Sequence, residues 1–334
     1  MGGLFVFVLR WQAGHGVLGV WQRSWPRMMN GDLICVDWGT SSFRAHALSG
    51  GRIVARTSAP RGILTVAPGE HAAVLANLLA DMPSQVRALP IVMSGMIGSR
   101  QGWVEARYVP APASLGNLAA WLVTWQEPGL GPISLVPGVM QDPQGGIPDV
   151  MRGEETQVFG ALALMGLQEG IFIMPGTHSK CIVVEAARIV RFASFMTGEV
   201  FAALKGHTIL GRLMTDDAGG VAAVPGEGFA RGVLAARGLT GAGALLNAVF
   251  GARTLGLFER LPGGELADYL SGVLIGAELC AALPERGGGI VVGNGDLVRR
   301  YTEAARLLGR TLTPAPEDSV VAGQAAILSA AGMS

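Results

Sequence analysis

Charge, sulfur and aromatic rings are all scarce in this chain. Only 15% of its 334 residues are charged and the formal net charge is zero. No long basic run exists, which excludes the electrostatic footprint of a nucleic-acid-binding protein. The three cysteines, Cys35, Cys181 and Cys280, lie far apart with no C-x-x-C pair. So sparse and odd a set excludes a disulfide framework or a zinc site and fits a reducing, cytoplasmic setting. No stretch reads as the roughly 20 apolar residues that span a bilayer. The longest uncharged one, 108–126, is interrupted by Pro110, Pro112, Asn117 and Gln126. The opening MGGLFVFVLRWQAGHG has neither a basic n-region nor an A-x-A-like site, so no secretory signal is expected. Several chemistry-bearing motifs are missing too: G-x-x-x-x-G-K-[ST], the full G-x-G-x-x-G, the protein-kinase set and G-x-S-x-G. Their absence excludes a P-loop NTPase, a dinucleotide fingerprint, a protein kinase and a nucleophile elbow.

What the chain has is apolar residues, at 50%, and 50 glycines, about twice the usual share. That composition folds rather than staying disordered, and the length suits two domains. Without a Gly-x-y period the glycines serve turns and close backbone approaches. Residues 1–28 show no clear period and are expected to be an extension outside the fold; an extra edge strand is the alternative.

An internal duplication organises the rest. Residues 33–56 read LICVDWGTSSFRAHALSGGRIVAR and residues 171–192 read IFIMPGTHSKCIVVEAARIVRF. Each has an apolar strand, a Gly-Thr turn, a second strand, a small-residue turn and then Arg-Ile-Val. Two strand–turn–strand–turn–strand units predict two similar domains, placed at 29–160 and 161–334. Elsewhere the pattern predicts helices over 71–79, 153–167, 269–283 and 297–308, and strands over 90–93, 133–136 and 289–292. Strands followed by helices in both halves give an α/β protein with mixed sheets.

Four constellations carry chemistry. Asp37 ends a buried strand and is followed by Gly39, Thr40, Ser41 and Ser42. A carboxylate there can hold Mg²⁺, and the turn can offer N–H groups and hydroxyls to phosphate; a plain β-turn uses the same residues. The second copy, Gly176, Thr177, His178, Ser179 and Lys180, lacks the carboxylate. Lys180 is one of two lysines, the other being Lys205. Its ammonium suits a phosphate oxygen, while an exposed surface lysine is the alternative; His178 reads as a turn hydrogen-bonder. Arg152, Glu154 and Glu155 cluster in Met151–Gln157: the guanidinium can bind an anion and a carboxylate can accept a hydroxyl proton. Glutamates favoured by a helix dipole would look the same. The fourth group is the glycine-rich loops: Ser94, Gly95, Met96, Gly98, Ser99 and Trp103; Thr197, Gly198 and Glu199; and Gly293, Asn294 and Gly295 between a strand and a helix.

Together these segments resemble the 2-dehydro-3-deoxygalactonokinase family. The resemblance rests on VDWGTS (36–41), MSGMIGS (93–99), GW (102–103), VMRGEETQ (150–157), MPGTHSK (174–180), MTGE (196–199) and LSGVLIGAE (270–278). It implies the actin-like ATPase/sugar-kinase superfold: two RNase-H-like domains with ATP in the cleft between them. It further implies that Gly39–Ser42 and Gly176–Lys180 are phosphate turns and that Asp37 organises Mg²⁺. Gly293, Asn294 and Gly295 would hold the adenosine. The sugar acid would meet the Ser94–Trp103 loop, Arg152 and the Thr197–Glu199 turn. Residues 1–28 have no counterpart in the pattern. For the catalytic base, Glu154 and Glu155 come first and Asp149 third.

The implied reaction moves the ATP γ-phosphoryl group to the 6-hydroxyl of 2-dehydro-3-deoxy-D-galactonate, with Mg²⁺ and domain closure to exclude water. Three other readings stay open: a kinase for the gluconate epimer or a related acid, a phosphoanhydride hydrolase, and a non-catalytic sugar-acid sensor. Neither nucleic acid nor membrane is an expected partner. The apolar composition allows a homo-oligomer.

Overall fold

A computed structural model describes residues 32–215, 225–293 and 295–333. The expected extension at 1–28 lies outside the described residues. In the duplicated first segment, β1 (Leu33–Trp38), β2 (Phe43–Ser49) and β3 (Arg52–Ala59) form an antiparallel meander, with Asp37 opposite Arg44. Helix α1 (His71–Leu79) matches its predicted span. Next come β4 (Ile91–Ser94), β5 (Tyr108–Pro110), β6 (Ala113–Ser114), α2 (Leu115–Ala120), β7 (Val123–Trp125), β8 (Ile133–Leu135), β9 (Gly138–Gln141), β10 (Asp149–Met151) and α3 (Glu154–Met165). The second copy supplies β11 (Gly170–Met174), β12 (Ser179–Glu185) and β13 (Arg188–Phe195). It is followed by α4 (Thr197–His207), α5 (Glu227–Ala236), α6 (Ala242–Leu257), α7 (Gly263–Ala282), β14 (Gly288–Val291), α8 (Gly295–Leu307), β15 (Thr311–Pro314) and α9 (Ser319–Ala330).

Both large sheets repeat one strand order. The first runs β3-β2-β1-β4-β8, with β7 added at the edge; the second runs β13-β12-β11-β14-β15, with β6 added at the opposite edge. In the first, β1, β4 and β8 are parallel; in the second, β11, β14 and β15 are. An antiparallel hairpin pair leading into parallel strands is the RNase-H-like arrangement, so the duplication read from 33–56 and 171–192 is a duplication of fold. A third sheet, β10-β9-β5, is small.

The chain divides into two compact units. The first holds residues 32–170, 182–193 and 315–333; the second holds 171–181 and 194–314. A single cut at 160 falls inside α3. In addition α9, almost at the C-terminus, packs on α3, β1 and β4 of the first unit. The α3–α9 crossing depends on glycine: a Cβ on Gly160 would lie 1.7 Å from the Ser319 carbonyl oxygen. Alternation in β1 sets the two faces of its sheet. Ile34, Val36 and Trp38 join Phe43, Met93 and Leu135 in the core beneath α1. Cys35 and Asp37 lie on the other face, where the Cys35 thiol meets the Val321 carbonyl of α9 at 3.9 Å. In the second unit, Ile173, Val291 and Leu312 of the parallel strands pack with Ile275 and Leu279 of α7 and Tyr301 and Ala304 of α8.

Candidate active site

In the first unit three segments converge on Asp37. Its side chain is about one-fifth exposed, with Arg44 of β2 at 3.9 Å. Burial raises the Asp37 carboxyl above the ordinary carboxylate range, and Arg44 pulls it partly back. Gly95, directly after β4, has φ +96° and ψ −162°, and a Cβ there would sit 2.8 Å from the Trp38 carbonyl oxygen and 3.3 Å from Asp37 Oδ1. Gly153, at φ +108°, lies against Gly95 in turn: its Cβ would be 3.2 Å from the Gly95 Cα. The spacing of Asp37, Gly95 and Gly153 in sequence gave no hint of this contact. Gln324 of α9 fixes the arrangement from behind, donating to the Val36 carbonyl at 2.7 Å and to Ser94 Oγ at 2.8 Å. The turn beside Asp37 is closed by Gly39 N–H donating to the Ser42 carbonyl at 2.9 Å. Thr40 and Ser41 are exposed at its tip.

The two glutamates of α3 are turned inward. Glu155 is completely buried; both its carboxylate oxygens accept from Gly153 N–H at 2.8 Å, and the Thr156 hydroxyl donates at 3.1 Å. Burial, with Glu154 nearby, pushes its carboxyl up to about 8 despite those bonds. Glu154 is half-buried and accepts from Arg152 N–H at 2.9 Å. Both therefore satisfy backbone donors at the start of α3, as helix-end carboxylates do. Asp149 accepts from its neighbour's backbone, Val150 N–H, at 2.8 Å.

Arg152 is 7% exposed. Its Nη2 donates to the Ala106 carbonyl at 2.7 Å and its guanidinium lies 4.3 Å from the Tyr108 ring centroid. Nη1 and Nε have no hydrogen-bond partner among the described residues. Nη1 is the atom nearest to Gly98, 3.0 Å from where a Cβ would stand. The structure thus joins Arg152 to the 94–103 loop. Within that loop Ser94, Gly95, Gly98 and Ser99 are buried and Met96 is half-buried. Trp103 stacks on His71 with centroids 6.1 Å apart and meets Trp125 edge-on, so it braces the loop from the core side.

In the second unit the Gly176–Lys180 segment splits by strand alternation. Thr177 and His178 are exposed, and His178 Nε2 lies 2.6 Å from Glu199 Oε2. Ser179 and Lys180 are both buried but point to opposite faces of β12. Ser179 Oγ donates to Glu278 Oε1 of α7 at 2.5 Å, while Lys180 Nζ donates to Ser194 Oγ of β13 at 2.5 Å. Thr197–Glu199, expected as a loop on the sugar-acid side, is instead the first turn of α4 and belongs to the other unit. There it packs on the Gly176 turn: a Cβ on Gly198 would come within 2.5 Å of the Gly176 carbonyl oxygen. Thr197 Oγ1 donates to Glu278 Oε2 at 2.5 Å, and so does the Tyr301 hydroxyl at 2.7 Å. A cavity of about 310 Å³ opens beside this turn, lined by Gly176, Thr197, Gly198, Phe201, Leu274 and Leu297 among others. Gly293 is exposed and Gly295 begins α8; Asn294 lies outside the described residues.

Comparison with known proteins decides the family. Residues 37–327 match the model of 2-keto-3-deoxy-galactonokinase. The chain belongs to the 2-keto-3-deoxy-galactonokinase family. It is 34% identical over 295 residues to a protein of Rhizobium meliloti (strain 1021) that carries the name 2-dehydro-3-deoxygalactonokinase, covering 86% of this chain and 92% of that one. The 2-dehydro-3-deoxygalactonokinase of Escherichia coli (strain K12) is 30% identical over 294 residues, covering 87% and 95%. A crystal structure of a Sinorhizobium meliloti protein assigned to the same activity superposes with a TM-score of 0.79 at 35% identity, covering 88% of this chain and 95% of that one. The kinase-family residues read from sequence fall into two groups, one in each unit. The sequence pattern missed Gln324, Glu278 and Tyr301. Gln324 and Glu278 sit in apolar helix segments, where a buried polar group demands a partner. Tyr301 is hidden among the charged residues of α8, and only Glu278 fell inside a run already singled out, at its end (270–278).

Proposed function

We propose that this sugar-acid kinase transfers the γ-phosphoryl group of ATP to the 6-hydroxyl of 2-dehydro-3-deoxy-D-galactonate. The first unit binds the acid and the second the nucleotide. The observation that carries this reading is Arg152, a buried guanidinium with two donors unused by the described residues, beside Gly98. A carboxylate is the acceptor that a guanidinium fork takes bidentately. Ser99, whose buried hydroxyl also lacks a described partner, offers a further contact to a polyhydroxy acid.

The cavity in the second unit has the size of a small-ligand site. Its apolar residues Phe201, Leu274, Ile275 and Leu297 suit a nucleobase. Its Gly176 and Gly198 edge lets backbone approach phosphate. Among the described residues no cluster of three or more His, Cys, Asp or Glu exists. One partly exposed carboxylate, Asp37, fits Mg²⁺ carried on the triphosphate. When bound, the cation would neutralise phosphate charge. Thr40 and Ser41 donate to phosphate oxygens. Fully enclosed, Glu155 is a structural acid, so the hydroxyl proton is assigned to Glu154. Transfer by positioning and charge neutralisation needs no covalent intermediate.

The test is ADP release by purified protein with Mg²⁺-ATP and the galactonate-derived or gluconate-derived 2-keto-3-deoxy acid, against a control without acid. Strong preference for the galactonate form is expected. Preference for the gluconate form would change the substrate, equal release without acid would make the protein a hydrolase, and no release from folded protein would make it a sensor.

A further inference from the structure

Glu278 carries a charge-bearing group into one of the most apolar segments of the chain. It is 3% exposed, on α7, and the side chains around it come from three other elements. Ser179 of β12, Thr197 of α4 and Tyr301 of α8 all donate their hydroxyl protons to its two oxygens, at 2.5, 2.5 and 2.7 Å. Burial raises the Glu278 carboxyl, and the three hydroxyl bonds act against that rise. An ionised carboxylate is an acceptor with room for about four donors, so it can accept from all three hydroxyls at once. A neutral carboxyl would have to donate to one of them.

These three hydroxyls are not scattered. Thr197 and Tyr301 line the cavity of about 310 Å³, together with Gly176 and Gly198. Ser179 immediately follows the Gly176–His178 turn, whose Thr177 carbonyl accepts from Glu199 N–H at 3.0 Å. One buried carboxylate therefore ties together the turn, the start of α4 and the α8 wall. It also fixes the polarity of the hydroxyls. With each proton given to Glu278, Thr197 Oγ1 and Ser179 Oγ offer only lone pairs elsewhere, which a phosphate oxygen does not seek. At this wall that leaves backbone N–H groups and Arg300, which also lines the cavity, to meet a phosphate.

We propose that Glu278 is a positioning residue for the nucleotide: by gathering Ser179, Thr197 and Tyr301 it holds the Gly176 turn and the Gly198 backbone in binding geometry. The proposal rests on the assignment of this cavity to ATP. It extends that assignment by predicting that nucleotide affinity, and not sugar-acid affinity, depends on a carboxylate that touches neither substrate.

The experiment combines calorimetric ADP binding, with Mg²⁺ present, and steady-state kinetics for wild type, Glu278→Gln, Thr197→Val and Tyr301→Phe. Glu278→Gln keeps the volume but sets an NH₂ donor against hydroxyl donors. It should weaken ADP and raise the KM for ATP by about tenfold or more, with the KM for the sugar acid changed less than about twofold. The two single-hydroxyl variants should move the same constants in the same direction, by less; they decide the matter if Glu278→Gln does not fold. Variants that lower only thermal stability, or that shift both KM values alike, would overturn the positioning role while leaving the cavity assignment intact. A Phe201→Cys variant, carrying its thiol on the cavity wall, that still turns over ATP yet is not protected from labelling by Mg²⁺-ADP would overturn the cavity assignment and the proposal with it.

Discussion

A methyl group on Gly95 tests the convergence at Asp37 most directly. With φ +96° and ψ −162°, Gly95 occupies a region that is essentially closed to other residues and costs about 1–3 kcal/mol to enforce. The added Cβ would also stand 2.8 Å from the Trp38 carbonyl oxygen. That carbonyl has little freedom. The Trp38 ring is fully buried, sits edge-on to Phe43 at 5.2 Å and donates from Nε1 to the Arg61 carbonyl at 3.0 Å. Backbone strain and contact together place the cost of Gly95→Ala at about 3 kcal/mol or more. At about 2–4 °C per kcal/mol for a protein of this size, Tm should fall by about 6–12 °C. Asp37 Oδ1, 3.3 Å from the same Cβ, would shift as well, so kcat should fall even below the melting range. Gly98→Ala is the matched control. Its Cβ would meet the end of the Arg152 side chain at 3.0 Å rather than a backbone carbonyl. It should cost little stability and mainly raise the KM for the sugar acid. Differential scanning calorimetry and initial rates on the two variants check both halves. A Gly95→Ala protein with wild-type Tm and kcat, or a Gly98→Ala protein equally destabilised, would refute the reasoning.

Four further outcomes follow from the same geometry. Asp37→Asn should lower kcat by about 100-fold or more with near-native circular dichroism. Arg44→Ala, by removing the cation that lowers the Asp37 carboxyl, should move the acid limb of the kcat profile to higher pH. Arg152→Lys keeps the charge but loses the planar fork, so the KM for the sugar acid should rise about 10- to 100-fold, equivalent to about 1.5–3 kcal/mol, while the KM for ATP stays unchanged. Glu155 has its folded-state carboxyl raised from an ordinary 4.5 to about 8. Its contribution is therefore fully present below about pH 4.5 and is lost as pH rises through about 8. Glu155→Gln should flatten the decline of Tm between about pH 5 and 9 and leave kcat within a few-fold of wild type; a large loss of kcat alone would return Glu155 to the chemistry.

Local pattern reached the fold because local pattern built it. The apolar runs at 33–38 and 171–174 are strands in both copies, the Gly-Thr turns follow each, and α1 begins and ends where its spacing says. Pattern was weaker where glycine is dense. Helix α7 starts at Gly263, six residues before its apolar period becomes regular, because Pro262 and two glycines read as a turn although proline suits a helix start. The strands β5, β9 and β10, of three or four residues each, are too short to show a period at all.

Residue type was a poorer guide to role than to place. Asp37, Glu154 and Glu155 border glycine-rich turns, and Glu278 lies near the end of α7; from residue type alone nothing shows which of the four the fold itself encloses. What separates them is the donors that reach each one. Glu155 is enclosed by Gly153 N–H and the Thr156 hydroxyl, and Glu278 by three hydroxyls, so both are bound by the fold itself. Asp37 keeps about one-fifth of its side chain open and faces an arginine at the longer distance of 3.9 Å. A buried carboxylate whose oxygens are filled by hydrogen bonds from the protein stabilises structure, whereas one that keeps part of its side chain exposed is open to a ligand. That asymmetry arises from contacts hundreds of residues apart, such as Gln324 on Val36 and Ser94. No spacing rule within one segment contains it.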